Sequence, residues 1–134
     1  MQLTNYFSSN YELLNNSKNI KKKNAGWYGC SHVLPLPKSG IYYYRLRIVR
    51  SENKQIMLGV CAKQIKEQVR PFDNPLSLCL YLNGGTVCPG YIKACGSINF
   101  IENQSVFEVR INMNKGFIEW LQDSKSLWIV DMSK

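Results

Sequence analysis

From residue 27 onward, apolar and polar positions alternate in short runs, each stopped by Gly, Pro, Asn or Ser clusters. This rhythm predicts many short antiparallel strands and hence an all-β sandwich or barrel. No long segment repeats its apolar residues at the helical period. The first predicted strand, 27–34, ends at Pro35 and Pro37, which have no amide hydrogen to give a ladder. The second covers 41–50. Its even positions Tyr42, Tyr44, Leu46 and Ile48 share one face and Arg45 and Arg47 the other, so one face is buried and one wet. After a turn at 51–54, residues 56–62 are apolar on both faces and predict a central strand, in which Gly59 marks a bulge or a close approach. Residues 63–76 read as a loop broken by Pro71 and Pro75. Strand 77–82 places Leu78, Leu80 and Leu82 together and runs into Asn83-Gly84-Gly85, a tight-turn signal. A short strand at 86–88 and a loop at 89–96 follow.

The sharpest local expectation is a hairpin of 106–113 and 116–122 around Asn114 and Lys115. That register sets Ile111 opposite Ile118 and Val109 opposite Trp120 on one face, and Arg110 opposite Glu119 on the other. A slip of one residue destroys both matches. A last short strand, 127–130, follows a turn at Asp123-Ser124-Lys125. Trp120 and Tyr44 fall on apolar faces and are expected in the core.

Residues 1–24 are polar and rich in Asn, and they read as an N-terminal arm before a folded domain at 25–134. Tyr11-Glu12-Leu13-Leu14 is the one place in the arm where a short helix is expected. Charge separates the two halves of the chain. Residues 1–67 hold 11 basic and 3 acidic side chains, and residues 68–134 hold 6 of each, so the whole +8 sits in the first half. Lys18, Lys21, Lys22 and Lys23, with Arg45 and Arg47, form a candidate basic patch for nucleic acid or another acidic surface. The plainer reading is a solvated segment, because no RNA-binding motif or long basic helix accompanies it.

Candidate chemistry is sparse. Five cysteines at 30, 61, 79, 88 and 95 include no Cys-x-x-Cys pair, and the only histidine is His32. Reduced core thiols are expected rather than disulfides or a zinc site. Cys30 and His32 are two residues apart on a predicted strand and share a face. They lack a third member and an oxyanion turn, so packing is the expected role. The nine carboxylates are scattered, and Asn83-Gly84-Gly85-Thr86 lacks the lysine and helix of a phosphate loop. A non-enzyme without metal or cofactor is therefore expected. No apolar run reaches the roughly 20 residues of a membrane helix, and the N-terminus lacks a secretory pattern, so a cytoplasmic location is expected.

Four segments in order carry a family resemblance. They are Gly26-Trp27-Tyr28-Gly29 with the Ser39 to Ile48 run, Ile56-Met57-Leu58-Gly59-Val60-Cys61, Leu80-Tyr81-Leu82-Asn83-Gly84-Gly85, and the Val106 to Met113 run with Ile118-Glu119-Trp120. Together they resemble the SPRY (B30.2-like) family over about residues 20–130. The family usually has Glu where Arg45 or Leu46 stands, and Gly-Asp where Asn103-Gln104-Ser105 stands. It usually continues beyond the position of Lys134. The chain thus looks like a divergent or shortened member, or a piece of a longer protein.

The resemblance implies a concanavalin-like β-sandwich that recognises a peptide or partner surface through loops at one end, as an adaptor or the substrate-recognition arm of a ubiquitin-ligase-type assembly. Loops suit that role, because a rigid scaffold holds them. Side-chain type and loop placement select Tyr28, Lys63, Arg70, Phe72, Asn83 and Tyr91 as partner-binding candidates, since aromatics and Arg dominate binding hot spots. A structural subunit of a larger complex and a nucleic-acid binder using the basic first half are the alternatives.

Overall fold

The computed structural model describes residues 11–14, 19–22, 36–51, 55–61, 77–90 and 92–132. Ten strands appear among them, and no helix: β1 (Tyr11–Leu14), β2 (Asn19–Lys22), β3 (Ile41–Arg47), β4 (Met57–Cys61), β5 (Ser77–Tyr81), β6 (Thr86–Cys88), β7 (Ile92–Lys93), β8 (Val106–Asn112), β9 (Phe117–Gln122) and β10 (Lys125–Asp131). Accordingly, no helix there is long and apolar enough to cross a membrane. All pairings are antiparallel. One four-stranded sheet runs β10-β9-β8-β3, the other β4-β5-β6-β7, and β1 and β2 pair with each other.

The two four-stranded sheets form a sandwich, because each contributes one face to a common core. Leu58, Leu80, Leu82 and Val87 come from one sheet and its turn. Phe107, Val109, Ile111, Ile118 and Trp120 come from the other. Hydrogen bonds also cross between the layers. Trp120, 1% exposed, donates its Nε1–H to the Leu58 carbonyl at 2.8 Å. The Tyr44 hydroxyl donates to the Gly59 carbonyl at 2.9 Å. An indole or phenol that enters a core brings a donor that needs an acceptor, and β4 supplies one to each.

The register of the C-terminal hairpin is the one its apolar pattern requires. Val109 pairs with Trp120, Arg110 with Glu119, and Ile111 with Ile118. The predicted strands at 41–50, 77–82 and 86–88 also form, the first ending at Arg47. Gly59 is a close approach. A Cβ there would run into the Leu78 carbonyl oxygen and stand 2.7 Å from the Cys79 Cα.

Four expectations are corrected. Tyr11-Glu12-Leu13-Leu14 is strand β1, not a helical turn; its ladder with β2 supplies the hydrogen bonds that a four-residue helix could not sustain. β4 is an edge strand among the described residues, not a central one. Its apolar character on both faces has another cause: Leu58 enters the core, and Tyr44 and Trp120 bond to its backbone. The 89–96 loop contains the two-residue strand β7, paired to β6. The last strand spans Lys125–Asp131, with an irregularity between Ser126 and Trp128 that adds a residue relative to β9. The predicted strand 27–34 and loop 63–76 lie outside the described residues.

Candidate functional site

Among the described residues, two features of the sandwich expose side chains in a defined arrangement: the outer face of the β10-β9-β8-β3 sheet, and the turn after β5. Side chains alternate across a strand, so burying Val109, Ile111, Ile118 and Trp120 sends Glu108, Arg110, Phe117 and Glu119 outward. Register then aligns these groups across the sheet. One row is Ile41, Asn112, Phe117 and Asp131. The next is Tyr43, Arg110, Glu119 and Ile129. Arg45, Glu108 and Leu121 follow, beside a shallow depression of about 210 Å³ edged by Val106, Asp123 and Ser124.

Glu108 is the electrostatic centre of this face and is only 7% exposed. Arg45 Nε donates to its Oε1 at 2.6 Å, and Arg110 Nη2 lies 2.6 Å from Oε2, close but poorly aligned for a hydrogen bond. The Arg45 bond, and Arg110 beside it, hold the Glu108 carboxyl below the usual carboxylate range against the opposing effect of burial. The same bond raises the Arg45 guanidinium. Arg110 also approaches Glu119 Oε1 at 3.9 Å, so the predicted Arg110–Glu119 pair is present as the longer arm of a network centred on Glu108. Arg45 covers the Tyr43 ring, 4.7 Å from its centroid, a cation–π contact.

Around the charges stand apolar side chains that remain in water. Ile41 is 58% and Tyr43 57% exposed, and Phe117 and Ile129 on the same face are exposed too. Trp128 is partly exposed at the β10 edge.

The second feature is the turn at 82–85. Gly85 N–H donates to the Tyr81 carbonyl at 2.8 Å, and the Gly85 carbonyl accepts from Ala94 and Cys95 at 2.9 and 3.0 Å. Gly85 has φ +65° and lies against the Cys95 and Gly96 carbonyls, so no side chain fits there. Ser97 Oγ donates to the Asn83 carbonyl, leaving the Asn83 side chain exposed on a clasped turn.

Of the partner-binding candidates, Asn83 is placed on this turn. Tyr28, Lys63, Arg70, Phe72 and Tyr91 lie outside the described residues. Of the basic patch, Lys21 and Lys22 belong to β2, with Lys21 exposed, while Lys18 and Lys23 lie outside the described residues. Arg45 and Arg47 share the outer side of β3, as expected, but the charge of Arg45 is answered by Glu108. Ile41, Phe117, Ile129 and Glu108 were not singled out from the sequence. For Ile41 the signal was present, because it shares the parity of Arg45 and Arg47. For Glu108 it was absent, because its partner lies 63 residues away on β3.

The thiols are quiet. Cys61, Cys79, Cys88 and Cys95 are free, and burial pushes all four upward, Cys79 to about 12. Burial likewise raises the Tyr44 phenol. Among the described residues no group of His, Cys, Asp or Glu is arranged to hold a metal ion. Cys30 and His32 lie outside them. Neither a known protein family nor a characterised protein matches the sequence.

Proposed function

We propose that the chain is a non-catalytic recognition module that binds another protein, as a peptide or a folded surface. The observation that carries this reading is the outer face of the β10-β9-β8-β3 sheet. Exposed Ile41, Tyr43, Phe117 and Ile129 there surround an ion-pair network already closed on itself. Aromatic and aliphatic groups with Arg beside them, held on strands rather than on loops, are the composition of a binding hot spot. The resemblance to SPRY domains points the same way, with an adaptor or ubiquitin-ligase recognition arm as its fuller form in a cytoplasmic assembly. It would add the clasped Asn83 turn as a second contact. The nucleic-acid reading loses Arg45, whose guanidinium is committed to Glu108.

The test is affinity capture from nuclease-treated lysate across rising salt, with wild type and Tyr43→Glu in parallel. A discrete protein that survives both treatments and is lost with Tyr43→Glu supports the reading. Bound material that vanishes with nuclease or modest salt contradicts it and favours the basic first half.

A further inference from the structure

Resting on that reading, we propose that the edge of β3 left unpaired among the described residues receives an extended acidic segment of the partner as a fifth strand of the β10-β9-β8-β3 sheet. The backbone geometry identifies the edge. β3 pairs with β8 along its whole length, and the Met113 amide donates to the Gly40 carbonyl at 2.8 Å, one step beyond the Ile41–Asn112 pair. Hydrogen-bonded pairs alternate in an antiparallel ladder, so Tyr42, Tyr44 and Leu46 bond to β8. The backbone groups of Ile41, Tyr43, Arg45 and Arg47 therefore face away from β8. Among the described residues no strand pairs with them.

Burial falls off on this side of the core among the described residues. On β8 the inward residues Phe107, Val109 and Ile111 are buried, whereas the inward residues of β3, Tyr42, Tyr44 and Leu46, are only half-buried. A further strand would cover them. The other edges are less suited to receive one. β10 carries the irregularity at Ser126–Trp128, a local twist that disfavours edge pairing. β7 has two residues. Successive carbonyls of a strand point to opposite edges, so one of the Tyr44 and Trp120 bonds to Gly59 and Leu58 caps the open edge of β4. β3 is regular over seven residues.

The side chains define the occupant. Tyr43, Arg45 and Arg47 stand on the outer face, with exposed Arg50 just beyond the strand. A strand laid alongside sets its own alternate residues opposite these. Carboxylates on its outer face fit beside Arg47 and the nearby Arg50, since Arg45 is held by Glu108, and apolar residues on its inner face extend over Tyr42, Tyr44 and Leu46. Charge complementarity thus selects an acidic-apolar extended peptide over a basic one, on a chain of net charge +8.

The probe is a fluorescent peptide of alternating Glu and Val, titrated into the full chain and followed by anisotropy, with amide exchange of the free protein measured by NMR. The expected results are saturable binding, loss on N-methylation of the alternate peptide amides that face β3, and at least about fivefold weakening by Arg47→Glu, regained with a Lys-for-Glu peptide. The amides of Tyr43, Arg45 and Arg47 should exchange fast in the free protein and slow in the complex. Binding that follows peptide charge but ignores N-methylation overturns the strand-addition proposal. So does slow exchange of those amides in the free chain, which would mean that the edge is already occupied. If the capture experiment yields a partner while the peptide does not bind, this inference fails and the recognition reading stands. If capture yields none, both fail.

Discussion

Trp120→Phe removes one bond between the layers, and its cost follows from the structure. The indole is 1% exposed, and its Nε1–H is bonded to the Leu58 carbonyl. Phe keeps a ring but deletes the donor and part of the volume. The Leu58 carbonyl keeps its ladder bond to Leu80, so losing the indole donor costs about 0.5–1.5 kcal/mol. The unfilled space adds roughly 1–2 kcal/mol. The expected loss is therefore about 1.5–3.5 kcal/mol in urea unfolding, a fall of roughly 5–12 °C in Tm for a chain of this length. Trp128→Phe is the control, since that ring is partly exposed at the β10 edge, and it should cost under about 1 kcal/mol. If the two substitutions cost the same, or Trp120→Phe costs less than about 1 kcal/mol, the inter-sheet bond is not a significant support and the packing argument fails.

Glu108→Gln should remove an acid-side dependence of stability. The folded carboxyl is depressed, so its contribution is full above the ordinary value of 4.5 and is lost as pH falls through the folded value; denaturation profiles of wild type and variant should converge below pH 4.5, and parallel profiles there would refute the pairing. Gly59→Ala should destabilise by at least about 3 kcal/mol or prevent folding, because the new methyl meets the Leu78 and Cys79 backbone; a variant with wild-type Tm would show that β4 and β5 are not this close. Cys79 should resist a thiol reagent at pH 8 until the chain unfolds, and mass mapping that finds it labelled first would contradict its burial. Arg45→Ala should change the salt dependence of any nucleic-acid binding less than Arg47→Ala, since only Arg45 is neutralised by Glu108, and the reverse order would refute that assignment.

Local pairing was legible in the sequence because period-2 alternation and a two-residue loop fix register. The β8–β9 hairpin is the clearest case, since Val109, Ile111, Ile118 and Trp120 match only one way. The β5–β6 turn at Asn83-Gly84-Gly85 was legible for the same reason, its glycine supplying a positive φ. What the sequence did not disclose is non-local. Nothing in 41–47 names 106–112 as its partner, so the Arg45–Glu108 contact could not be foreseen. Strand β4 looked central because apolar residues on both faces usually mean two neighbours, whereas among the described residues it has one, and the Tyr44 hydroxyl from the opposite sheet bonds to the Gly59 carbonyl on its other edge. β1 was mistaken for a helical turn because four residues carry too few periods to separate 2 from 3.6. The sheet face joins the Asn83 turn as a candidate that the sequence did not disclose, for a related reason. Loop placement chose residues by type, while exposure of Ile41, Phe117 and Ile129 depends on which strands assemble beside them.

The most direct test of the recognition reading is hydrogen exchange on the full chain, measured with and without the protein captured from nuclease-treated lysate. Protection on binding should concentrate in residues 41–47, with weaker protection across 108–119. Protection confined to residues 18–23, or to residues 63–76 with these strands unchanged, would contradict it.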